Sequence, residues 1–102
     1  MGRNCIDYST LTVTSTPLTL HDNCSPVRPT QAKGCIITVE TDQVRWRADG
    51  TSPTTSEGHL LSSGDILTFN SWSDNINWIS VLLKIEFIRV TNDAKLKISW
   101  FD

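Results

Sequence analysis

The stretch "CIITVETDQVRWR" (residues 35–47) decides the fold class. Its first half, Cys35 to Glu40, sets apolar residues on both faces of an extended chain, as expected for a strand near the middle of a sheet. Thr41, Asp42 and Gln43 turn the chain. Val44 and Trp46 then alternate with Arg45 and Arg47, the period of two in which successive side chains leave a strand on opposite faces. A tryptophan between two arginines therefore needs no catalytic purpose: Val44 and Trp46 point inward and the two cations outward. "ADG" (48–50) ends this strand with turn residues, and the stretch from there to Gly58 carries no large apolar side chain.

The same alternation recurs outward from this segment. In "TLTVT" (10–14), Leu11 and Val13 share one side and the threonines the other. Pro17 interrupts, and Leu18 and Leu20 resume on a shifted register, which predicts a bulge or bend. "SSGD" (62–65) is a Gly-centred turn leading into "ILTF" (66–69), where Ile66 and Thr68 oppose Leu67 and Phe69. "ISVLLKIEFIRV" (79–90) is the most apolar segment and is expected as one long strand. Lys84 and Glu86 would share one face, and Val81, Leu83, Ile85 and Phe87 the other. "TNDA" (91–94) joins it to "KLKISWF" (95–101), where Leu96, Ile98 and Trp100 point inside, and the two strands are expected to form a hairpin.

Thirteen threonines and eleven serines add a β-branched, hydroxyl-rich composition that suits strands, and no sustained helical stripe is visible. The pattern predicts an all-β fold of six to eight short strands, a small antiparallel sandwich or barrel of jelly-roll-like type. "HDNCSPVRPTQAKG" (21–34) has two prolines and little apolar content, so it reads as a long connection or an arm that lies on a neighbour. The expected organisation is a single domain: an N-terminal strand and extended arm over residues 1–34, then a sandwich body over 35–102.

A chain of 102 residues with 38% apolar and 20% charged side chains is long enough to bury a core without staples. Nine basic and eleven acidic residues leave a net charge of −2, which supplies no long-range attraction for nucleic acid or an anionic membrane; neither is expected as a partner. No segment approaches the roughly 20 apolar residues needed to span a bilayer. The opening residues have no apolar run of signal-peptide length. Ile6 stands where a myristoylation start needs Ser or Thr. Cys5, Cys24 and Cys35 are an odd set, expected as reduced thiols with Cys35 in the core. The sequon Asn23-Cys24-Ser25 carries no weight without a secretory route.

Residues suited to catalysis are few. His21 and Asp22 with Cys24 and Cys35 lack the tight Cys-x-x-Cys pair of structural zinc sites, so no metal is expected. His59 stands alone where an iron-binding β-barrel would need further ligands, and reads as a strand-edge residue. No Gly-x-Ser-x-Gly elbow and no Gly-rich phosphate cradle occur. No catalytic residue or cofactor is assigned. Trp46 and Trp100 fit inward strand positions. Trp72 and Trp78 lie in polar company, "NSWSDNINW" (70–78), where Asp74 is a candidate helix cap. Two alternatives stay open for these indoles: caps on one end of the core, or platforms for a sugar or a partner's pocket, with Asp74, Asn75 and Asn77 as hydrogen-bonders. Arg45 and Arg47 are either solvated or in charge-assisted contact with a neighbouring subunit.

The stretch "KGCIITVETDQVRWRADGTSPTTSEGHLLSSGDILTF" (33–69), with the closing "IEFIRV" and "DAKLKISWF", resembles small all-β virion proteins of tailed bacteriophages. In these, an Arg-Trp-Arg or similar strand runs into "ADGT-P-T", then "G-LL--GD", and a final hairpin closes the chain. The resemblance covers residues 33–102 and is weaker before them. It implies a capsid cement or decoration subunit in the virion, assembled in the host bacterial cytoplasm, that binds the major capsid protein or another virion protein and forms a dimer or trimer. Under it, Arg45 and Arg47 on the strand 44–47 offer two cations outward to a partner, Asp49, Thr51 and Pro53 belong to an ordered contact loop (48–58), and Trp72 and Trp78 are further contact candidates. The alternative is a tail or fibre accessory protein that binds host carbohydrate.

Overall fold

The computed structural model describes residues 4–72 and 77–102. Strict alternation builds the first sheet. β1 (Cys5–Val13), β3 (Gly34–Glu40), β6 (Ile66–Asn70) and β8 (Ala94–Phe101) lie in the order β1-β8-β3-β6, all antiparallel. Leu11 and Val13, then Cys35, Ile37 and Val39, then Ala94, Leu96, Ile98 and Trp100 all point into the core. β3 is an interior strand, as its apolar residues on both faces predict. The second sheet holds β2 (Leu18–Thr19), β7 (Glu86–Arg89), β4 (Val44–Arg47) and β5 (His59–Leu61), in the order β2-β7-β4-β5. Val44 and Phe87 meet the first sheet's side chains in one shared core. The two antiparallel sheets make the expected sandwich.

Among the described residues, β4 to β5 stays within a sheet, while the other connections between successive strands cross between layers. This overturns the expected hairpin of the last two strands. β7 pairs with β2 and β4, and β8 with β1 and β3, because both apolar segments gain most by facing each other across the core. A second correction concerns the segment 79–90, expected as one strand. Its first part is a helix, α2 (Trp78–Lys84), and only β7 is extended. Asn77 caps α2 by accepting a hydrogen bond from the Ser80 N–H at 3.2 Å. Trp78, Leu82 and Ile85 recur at spacings of four and three, so a helical turn buries all three where a strand would split them between faces. Asp74, the expected cap, lies outside the described residues, as does Asn75.

The expected N-terminal strand is β1, which begins at Cys5 and runs the length of β8, and of the two readings of 21–34 the structure shows the connection, folded onto the body, rather than an arm reaching away from it. α1 (Leu20–Asn23) and the chain after it bury Leu20, Cys24 and Ala32 in the same core cluster. Three sparse apolar anchors are enough to hold a segment that reads as polar. Backbone bonds between Thr10 and Ser25, at 3.0 and 2.8 Å, pin it against the free edge of β1. Within the core, Ser9 is fully buried: its hydroxyl donates to the Pro26 carbonyl at 2.6 Å and accepts the Trp100 indole N–H at 2.8 Å.

Candidate functional site

The sequence expectation that residues 48–58 form an ordered loop can be traced atom by atom. Strand register places Arg45, Arg47, Glu86 and Ile88 on the outer face of the second sheet, since Arg45 opposes Ile88 and Arg47 opposes Glu86. Ile88 is nevertheless only 6% exposed, because the loop folds back over that face. Arg45 holds it there. Its Nε donates to the Thr55 carbonyl at 3.1 Å and its Nη1 to the Gly58 carbonyl at 3.0 Å. Ser52 donates to the Glu86 carboxylate at 2.8 Å, and Thr54 closes a tight turn with Glu57 through two 2.9 Å hydrogen bonds. Pro53 is fully buried beneath this tip.

Gly58 completes the arrangement. Its φ of 131° lies where L side chains rarely go. A Cβ there would stand 3.0 Å from the Trp46 carbonyl oxygen, 3.2 Å from Pro53 and 3.3 Å from Arg45. The backbone can pass between β4 and Pro53 only because no side chain is present.

Where β4 leaves the sheet and β5 enters it, an open cleft of about 530 Å³ is lined by Trp46, Arg47, Ala48, Asp49, Glu57, Gly58 and His59. Trp46 and His59 are cross-strand partners, so their rings share a face; the centroids are 4.6 Å apart and the planes tilted by 36°. Arg47 grips Asp49 with two parallel bonds, Nε to Oδ1 at 3.0 Å and Nη2 to Oδ2 at 2.5 Å. The guanidinium holds the Asp49 carboxyl down at about 2, and the carboxylate in turn raises the guanidinium. Thr51, exposed at the turn, directs its N–H to Asp49 at 3.4 Å. Glu57 is exposed, and among the described residues its carboxylate makes no ion pair.

No family model, no curated protein and no solved structure matches the chain.

The sequence-predicted residues therefore separate into three sets. Arg45, Arg47, Asp49, Thr51 and Pro53 do gather around one loop. Arg45 and Arg47 turn back onto their own loop rather than offering free cations to a neighbour, and Pro53 is buried within the loop rather than presented to a partner. Trp78 is the second set. It is 5% exposed, packs on Phe69 with ring centroids 4.9 Å apart, and donates its indole N–H to the Ala32 carbonyl at 3.2 Å. A buried ring cannot stack on a sugar, so the paired-indole platform is lost and Trp78 is a cap of the core. Trp72 is the third. It is 38% exposed and stands on the outer face of the first sheet, beside a shallow groove of about 340 Å³ that Ile36, Thr68 and Phe101 also line. Its ring lies over Gly34, where a Cβ would come within 2.3 Å of it.

His59, Glu57 and the exposed face of Trp46 were missed as site residues. His59 is indeed on an edge strand, but the register that sets it against Trp46 depends on an eleven-residue loop whose path no local pattern encodes. Elsewhere, Cys24 and Cys35 are both buried, and desolvation drives their thiols up, Cys35 strongly. Among the described residues, no three His, Cys, Asp or Glu side chains gather as a metal site would need.

Proposed function

We propose that the chain is a non-enzymatic structural protein of a tailed-bacteriophage particle, a cement or decoration subunit bound to the major capsid protein and to its own neighbours. The observation that carries this reading is the loop 48–58: it is ordered by Arg45, Pro53 and Gly58 before any partner arrives, and it presents Thr51, Thr54, Thr55 and Ser56 to solvent. A loop already fixed loses little conformational entropy when a partner docks on it, so a modest surface can bind usefully. Repetition over a symmetric shell multiplies such contacts, because each bound subunit raises the effective concentration of the next. The resemblance of residues 33–102 to small virion proteins supplies the kind of particle.

Quantitative mass spectrometry of particles purified from the host that encodes this chain tests the reading. Copies numbering in the hundreds are expected for a shell component. A handful would move the subunit to the tail, where the carbohydrate-binding alternative belongs, and complete absence from particles overturns the assignment.

A further inference from the structure

We propose that the cleft between Trp46 and Glu57 receives a cationic side chain, a lysine or arginine presented by a partner protein. Charge decides the sign of the guest. Three formally charged residues line the cleft: Arg47, Asp49 and Glu57. Arg47 and Asp49 close on each other in the bidentate pair and neutralise one another. Glu57 remains, a carboxylate with no ion pair among the described residues that acts on Arg47 only at longer range, so one cation and two carboxylates leave the cleft net negative. An anionic guest is opposed by that charge. A neutral saccharide makes no use of it.

The walls point the same way. The Trp46 indole is half-buried and held against the His59 ring at 4.6 Å, which fixes its orientation and leaves aromatic surface in the cleft. The face of an indole attracts cations through its quadrupole more strongly than the other aromatic rings, and a guanidinium also stacks on it. A guest head group lying over Trp46 with its charge toward Glu57 uses both features at once. The cleft is also preformed. Gly58 and the two Arg45 hydrogen bonds fix the loop segment that carries Glu57, so the backbone from which the carboxylate projects is set beside the indole without a guest. Wide opening to solvent suits a side chain arriving from another surface rather than a small molecule that must be enclosed.

The identity of the partner as a virion protein rests on the function proposed above; the preference of the cleft for a cation does not. The two are tested apart. The purified chain, labelled with 15N, is titrated with acetyl-Gly-Arg-Gly-amide and, separately, with the same peptide carrying uncharged citrulline in place of arginine. The expected result is saturable shifts confined to the Trp46 indole N–H and the Gly58 and His59 amides. Binding should be about ten-fold weaker for the citrulline peptide and for the Glu57→Gln variant. Glu57→Gln keeps the loop, because Glu57 shapes the turn through its backbone and not its carboxylate. Its unperturbed spectrum outside the cleft verifies this. Equal response to both peptides, undiminished binding by Glu57→Gln, or shifts at these positions with maltose but not with the arginine peptide would each overturn the proposal. A chain found on particles that ignores the arginine peptide sinks the cleft assignment alone; one that binds the peptide but is absent from particles sinks the virion reading alone.

Discussion

Gly58→Ala should be the most damaging single-methyl change in the loop, and its cost can be worked from the geometry. A side chain at φ 131° occupies backbone space that is essentially reserved for glycine, and such residues cost roughly 1–3 kcal/mol. The new methyl also meets the Trp46 carbonyl oxygen at 3.0 Å, a backbone atom of a paired strand that cannot swing aside, with Pro53 and Arg45 at 3.2 and 3.3 Å. Forcing a methyl group into such a packed site costs roughly a further 1–3 kcal/mol. Alanine recovers about 0.4–1 kcal/mol by stiffening the unfolded chain. The net expectation is a loss of about 1–5 kcal/mol with a central value of about 3, which at about 4–8 °C per kcal/mol for a domain of this size lowers Tm by roughly 10–25 °C. Gly50→Ala is the control. Its φ of 90° is also unfavourable, but nothing stands within 4 Å of its Cβ, so only the backbone term of about 1 kcal/mol remains. Urea unfolding of both variants, followed by tryptophan fluorescence, measures the difference. If Gly58→Ala is no less stable than Gly50→Ala, the loop does not pack as described and its rigidity is refuted.

Other perturbations probe the core and the charges. Ser9→Ala removes the acceptor of the buried Trp100 N–H and the donor to Pro26, and leaving that indole unpaired should cost about 1–3 kcal/mol in the same urea assay; a loss below 0.5 kcal/mol on that scale would mean the network is not closed in solution. In native protein a thiol reagent such as DTNB should modify exposed Cys5 promptly and reach Cys24 and Cys35 only on unfolding, because burial both hides those thiols and disfavours their thiolates; Cys35 labelling as fast as Cys5 would contradict the core assignment. Asp49 should titrate near 2 when its carboxyl carbon is followed by NMR, below its ordinary 3.8, and Arg47→Gln should raise it toward the ordinary value. Since the folded carboxyl is the lower one, its contribution to the loop is complete above about 3.8 and is lost as pH falls through about 2.

The alternating segments were legible because their period is short. Val44 to Arg47 and Lys95 to Phe101 announce inward and outward faces residue by residue, and Val44, Leu96, Ile98 and Trp100 are all buried as expected. Two things were not legible. Trp78 to Lys84 contains Ile79, Val81, Leu82 and Leu83, β-branched and leucine residues that satisfy a strand and a helix alike; the Asn77 cap and the packing of Trp78 on Phe69 settle it in favour of the helix. The pairing of β7 and β8 is a choice between sheets, made by long-range contacts that adjacent residues cannot encode. For the site, the sequence located the loop and the outward face of Arg45 and Arg47 but not the partners that their guanidinium groups take. Arg45 bonds to Thr55 and Gly58 because the loop returns over the outer face, and that return depends on one glycine at φ 131° and one buried proline. Neither is distinguishable by type from the other turn residues around it.

Hydrogen–deuterium exchange of the chain, free and on the virion proposed to carry it, bears most directly on the proposal that a pre-ordered loop is the surface that binds a neighbour. Amides from 48 to 61 should exchange slowly in the free chain for so exposed a segment, and slow further on attachment, while the amides of β1 and β8 stay unchanged. Fast exchange across 48–58 in the free chain, or protection that appears elsewhere and leaves 48–61 untouched, would contradict it.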